Sequence, residues 1–156
     1  RNRPAASTGN EAMKIEIRFA KGDALSVDVL AEAPRTAACV QKALPLDATV
    51  YQARWSGREI FLPVRLADKP PRERQSIRAN LGDVIYFCEW GDAYDPTGFE
   101  AIGLFYGPEI VREWRGDAAV NVFGQIDPSQ WDLIKAIRER VWREGGESVS
   151  LRLVDG

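Results

Sequence analysis

The chain has 156 residues, of which 45% are hydrophobic and 28% charged, with a formal net charge of −2. This composition fits one ordinary globular domain. It offers no basic excess for nucleic acid and no apolar run long enough to cross a membrane.

Histidine is absent. That count excludes a Ser-His-Asp triad, a Cys-His pair and any zinc site built on imidazole. Asp, Glu, Lys, Tyr and Cys remain as groups able to move a proton. The two cysteines, Cys39 and Cys88, are far apart and form no Cys-x-x-Cys motif, so they read as free thiols of a cytoplasmic protein.

Arg1 to Ala12 is polar and small, without the apolar stretch of a secretory signal. It reads as a disordered extension ahead of Met13, the only methionine and the expected natural start. Residues 13–156 are expected to form a single domain.

From Lys14 to Ala20 apolar Ile15, Ile17 and Phe19 alternate with polar residues, the pattern of a half-buried strand. Lys21-Gly22-Asp23 supplies a turn, and Leu25, Val27 and Val29 resume the alternation, which gives a hairpin. Pro34 opens a helix along Ala37, Val40 and Leu44, and Pro45 stops it. Thr49–Trp55 and Glu59–Pro63 make a second hairpin around Ser56-Gly57-Arg58. Ala67 to Asn80 reads as a long polar surface loop with a helical turn within it.

Val84–Cys88 and Ala101–Tyr106 are continuous apolar runs, expected to be strands covered on both faces. The loop between them is acidic and aromatic. Ala119–Ile126 is a further strand. Asp127, Pro128 and Gln130 then form an N-cap, a first-turn proline and a capping-box partner for a helix whose apolar face is Trp131, Ile134, Ile137 and Val141. Gly145-Gly146 ends it, and Val149, Leu151 and Leu153 alternate in a last strand. Many short strands with two helices predict a mainly β protein whose barrel leaves no open edge.

Three stretches resemble the cyclophilin family. Val29 to Ala37 resembles its second strand and the Pro-x-Thr-Ala start of its first helix. Val122-Phe123-Gly124-Gln125-Ile126 resembles the strand before its second helix, and Ser150 to Gly156 its closing strand. The resemblance implies a closed eight-stranded antiparallel barrel with two helices covering the ends, and a cleft beside it. Cyclophilins isomerise prolyl bonds with an arginine, a phenylalanine and a glutamine. Arg54 stands where that arginine belongs, on the third strand, and Trp114 resembles the pocket tryptophan. The spacing to phenylalanine and glutamine is not kept, and the pocket histidine is missing. The chain is more similar to the compact, uncharacterised bacterial cyclophilin-like barrels than to the isomerases.

The resulting expectation is a barrel without prolyl isomerase activity that binds a small molecule or short peptide. Arg54 would be the polar anchor, Trp55 and Trp114 the walls, and Glu59 and Tyr106 contributors. The alternative is an enzyme acting on a small acid, amide or lactone, with Glu59 or Glu89 as general acid/base. A third reading is a structural role in which the barrel packs against a second copy or another protein. Glu89, Asp92, Asp95 and Glu100 lack the spacing of a calcium loop and read as a solvated loop rather than a metal site. Neither a cofactor nor a metal is expected, and neither nucleic acid nor membrane is expected as a partner.

Overall fold

The computed structural model describes residues 13–90 and 98–154. Its chain order is β1 (Lys14–Phe19), β2 (Ala24–Val29), α1 (Pro34–Ala43), β3 (Leu46–Gln52), β4 (Glu59–Pro63), β5 (Asp83–Cys88), β6 (Glu100–Phe105), β7 (Val120–Ile126), α2 (Trp131–Glu144) and β8 (Glu147–Val154). The strands run β2-β1-β8-β3-β4-β6-β5-β7, and β7 pairs back onto β2. All these pairings are antiparallel, so the sheet closes into an eight-stranded barrel. Among the described residues no helix is long and apolar enough to cross a membrane.

Closure requires β7 to come close to β2, and Gly124 is where it does. A Cβ there would lie 2.7 Å from Val27 Cγ1, beside a bulge between Val122 and Gly124. The turn joining β1 to β2 depends on Gly22, whose φ of +113° L side chains avoid.

The alternation of strand side chains divides the barrel wall into two layers. Ile60, Leu62, Val84, Tyr86, Ile102 and Leu104 belong to the interior core, which also takes the apolar faces of α1 and α2. Ile85, Phe105, Val120 and Val122 form a second cluster with Ala79, Val111 and Ala118. This outer cluster is covered by the segment around 109–118. Its short strands are Glu109–Ile110, paired with Arg78–Ala79, and the ribbon Arg112–Glu113 with Gly116–Asp117. The covering segment explains why β5 and β6 are apolar on both faces.

Segment 67–80 differs from the expected loop with a helical turn. It follows a bent path without a helical turn, and its Gln75–Ser76 pairs with β7. Glu73 from this segment takes the place of a local cap on α1, accepting hydrogen bonds from the backbone N–H groups of Arg35 and Thr36 and from the Thr36 hydroxyl. A carboxylate at a helix N-terminus satisfies otherwise orphaned donors. Those donors outweigh its partial burial and hold Glu73 below the usual carboxylate range.

At α2, Asp127 accepts from the Ser129 N–H at 2.8 Å, but Gln130 makes no capping box. Its side chain reaches β2 instead, accepting from the Ser26 N–H and donating to the Ala24 carbonyl. Backbone groups of a half-buried strand need such partners.

Candidate ligand cleft

The outer layer is not filled everywhere. Between the outer faces of β4, β5, β6 and β7 and the covering segment lies a cleft of about 330 Å³, at the small end of the range for small-molecule sites. Phe61, Ile85, Phe87 and Ala101 supply its floor, and Val111, Arg112 and Ala118 its far wall. Trp55, Phe99 and Trp114 surround the mouth. Trp114 is 70% exposed and Trp55 53%.

Glu59 is the polar centre. As the first residue of β4 it stands opposite Phe105 of β6, and strand alternation turns it outward beside Phe61. It is nevertheless only 8% exposed, because the covering segment closes over it. Room for the carboxyl comes from Gly103, the next outward position on β6. A Cβ at that glycine would overlap Glu59 Oε2 and come within 3.0 Å of Ile85 Cδ1. Burial raises the Glu59 pKa to about 8; the nearby Ser56 hydroxyl opposes that rise and the negative charge of Glu109 adds to it. Among the described residues no cation pairs with Glu59.

Ser56 is itself buried and joins the β3–β4 turn to the far wall. Its hydroxyl accepts from the Arg112 N–H at 2.9 Å and donates to the Arg112 carbonyl at 3.1 Å. A carboxyl in this setting is largely protonated near neutrality, so it can donate a hydrogen bond or, once ionised, accept a proton.

Five of the residues singled out from the sequence meet at this cleft: Arg54, Trp55, Glu59, Glu89 and Trp114. Arg54 and Trp55 do not lie on the third strand, which ends at Gln52. They belong to the wider turn closed by the Ala53 N–H bonding to the Glu59 carbonyl. The Arg54 guanidinium sits 5.9 Å from the Trp55 ring centroid, and among the described residues it has no acidic partner.

Glu89 is engaged by Arg115 at 2.5 Å, and Arg115 also pairs with Glu113. Tyr106 is placed outside the cleft. Its hydroxyl lies 2.8 Å from Gln52 Oε1 and 2.6 Å from the Gly57 carbonyl, and the Arg138 guanidinium covers its ring. Trp90 packs on Tyr86 and Phe87 and donates to the Pro70 carbonyl.

Asp92, Tyr94 and Asp95 lie outside the described residues. Glu100 belongs to no loop: it opens β6, is buried, and accepts hydrogen bonds from the Tyr86 hydroxyl at 2.6 Å and the Leu66 N–H. Its strand position points it inward with Ile102 and Leu104. Cys88 is a buried free thiol, its pKa pushed up to about 11, chiefly by burial.

The sequence reading did not single out Gly103, Phe61, Phe87 or Arg112 for this site. Gly103 left a signal, since an isolated glycine inside an apolar strand marks a close approach. Arg112 left none, because its role depends on a backbone meeting Ser56 across 56 positions of chain.

Fold and cleft together define a cyclophilin-like barrel with a small-molecule-sized cavity on its outer face. The chain belongs to the family described as "Protein of unknown function (DUF3830)", whose model matches residues 20–153. Solved structures that share the barrel include two of low sequence identity. One is the structure of McbB in complex with tryptophan, with a TM-score of 0.65 and 16% identity over 88% of this chain. This chain spans only 44% of that one. The other is the solution structure of the hypothetical protein AF2241 from Archaeoglobus fulgidus, with a TM-score of 0.61 and 25% identity, covering 96% of this chain and 100% of that one. A comparison with curated protein sequences finds no match.

Proposed function

We propose that this protein binds a small organic molecule in the outer cleft, with Glu59 as its deep polar contact and Arg54 as an anchor at the mouth. The observation that carries the reading is Glu59: a buried carboxyl without a counter-ion among the described residues, housed by Gly103 and facing an aromatic, apolar cavity. Burying such a group costs stability, and groups of that kind concentrate where a site needs them. A short peptide fits less well, since the cavity is small. Prolyl isomerase activity is not part of the reading: Arg54 has no phenylalanine and glutamine at the family's spacing.

A second reading, an enzyme on a small acid, amide or lactone, is favoured by the same side chain. A carboxyl with a pKa of about 8 is suited to general acid/base work near neutrality. Glu89 is held by Arg115 and is the poorer candidate.

The test is a thermal-shift screen of the purified protein against a metabolite library. A specific ligand at about 100 times its Kd adds about 2.7 kcal/mol, and so raises Tm by about 5 °C or more in a dose-dependent way. Arg54→Ala should shift the dose response to higher concentration. If no metabolite shifts Tm, or if the shift is the same in Arg54→Ala and Glu59→Gln, this assignment fails.

A further inference from the structure

The described residues include four buried acids, and three are supplied with donors. Glu100 has the Tyr86 hydroxyl, the Leu66 N–H and Lys69. Glu147 has Arg140 through both its oxygens, and the Lys21 N–H. Asp83 has the Asn80 N–H and the Gln125 amide. Among the described residues Glu59 has a single donor, the Ser56 hydroxyl, which also bonds the Arg112 backbone, and it faces the negative charge of Glu109. What lies beyond the Glu59 carboxyl is the cleft.

Taking the proposed ligand cleft as given, we infer that its ligand carries a basic nitrogen, as a protonated amine or amidine on a flat apolar body, which pairs with the Glu59 carboxylate. Three features of the cavity select that chemistry. Among the described residues the lining supplies the acid and no cation at depth, and buried charges are retained when they are paired. Phe61, Phe87 and Trp55 line the cavity, and aromatic rings attract cations rather than anions to their faces. The cations of the rim stand away from that depth: Arg115 is shared by Glu89 and Glu113, Arg112 is directed to Asp117, and Arg54 lies at the mouth beside Trp55. A carboxylate or phosphate group driven to the floor would meet Glu59 itself. A metal ion is not the fit, because one carboxylate among hydrocarbon walls lacks the oxygen ligands that hard cations need.

Three probes share one apolar body and differ in the head: 2-phenylethylamine, 3-phenylpropionate and 3-phenylpropionamide. Binding of each is measured by calorimetric titration near pH 8, to wild type and to Glu59→Gln. The expected result is an amine that binds wild type about tenfold or more tighter than either other probe, and loses that preference in Glu59→Gln. If the amide or the acid binds as tightly as the amine, or the amine preference survives in Glu59→Gln, the inference is overturned while a ligand cleft stands. If none of the three binds wild type saturably, both the inference and the cleft reading fall.

Discussion

Glu59→Gln is expected to make the protein more stable at neutral and alkaline pH. The Glu59 pKa is about 8 in the folded state against an ordinary value of 4.5. The folded protein therefore holds this proton more tightly than the unfolded chain. Stability is full below about pH 4.5, falls as pH rises toward 8, and then levels off. At about 1.4 kcal/mol per pH unit the loss is on the order of 3 kcal/mol by pH 7 and 5 kcal/mol above pH 8. Glutamine has the shape of the protonated acid and cannot ionise, so it removes this loss. Denaturant unfolding at pH 5, 7 and 9 measures the effect. The variant should match wild type at pH 5 and exceed it increasingly at pH 7 and 9. A variant less stable than wild type at every pH, or one with the same pH profile, would show that the carboxyl is not buried in this way. A residue whose removal stabilises the fold is one that the fold does not need.

Gly103→Ala is the complementary case. Its new methyl takes the space of Glu59 Oε2 and presses on Ile85. Overpacking of this kind costs about 1–3 kcal/mol, and here it also forces the carboxyl out of its recess. Ligand binding should fall by about tenfold or more, because a displacement of about 1 Å at a binding group is enough to lose its contact. In a Glu59→Ala background the recess is empty and the methyl fits. The two substitutions should therefore be strongly non-additive, with a coupling of about 1 kcal/mol or more in a double-mutant cycle on unfolding. Additive losses would mean that the two residues do not share the space.

Much of the barrel can be read from the sequence because local pattern decides it. Ile15, Ile17 and Phe19 alternate and are buried in the interior, and Pro34 opens α1 where its missing N–H costs nothing. The apolar runs in β5 and β6 announced cover on both faces, and the structure shows what covers them. What stayed hidden depends on meetings between distant segments. Alternation puts Glu59 on the outer face, where a surface ion pair is the ordinary expectation, and only the segment around 109–118 turns that face into an interior. Gln130 carries the letters of a capping box but is captured by the backbone of β2. Glu73, in a stretch that reads as a polar loop, becomes the cap of a helix 38 residues earlier. Arg54 and Trp55, candidates from the sequence, both line the cleft, although the strand that was to carry them stops short and leaves them on the turn.

The proposed ligand site is the outer cleft, with Glu59 at its depth. The most direct test is a two-dimensional ¹H–¹⁵N NMR titration of the protein with a binder from the thermal-shift screen, following backbone amides and tryptophan indoles. Saturable shifts are expected, centred on the Trp55 and Trp114 indoles and the amides of Glu59, Gly103 and Val111, with their loss in Gly103→Ala. Shifts centred instead on the far side of the β3–β4 turn, around Tyr106 and Arg138, with the cleft resonances unmoved, would contradict it.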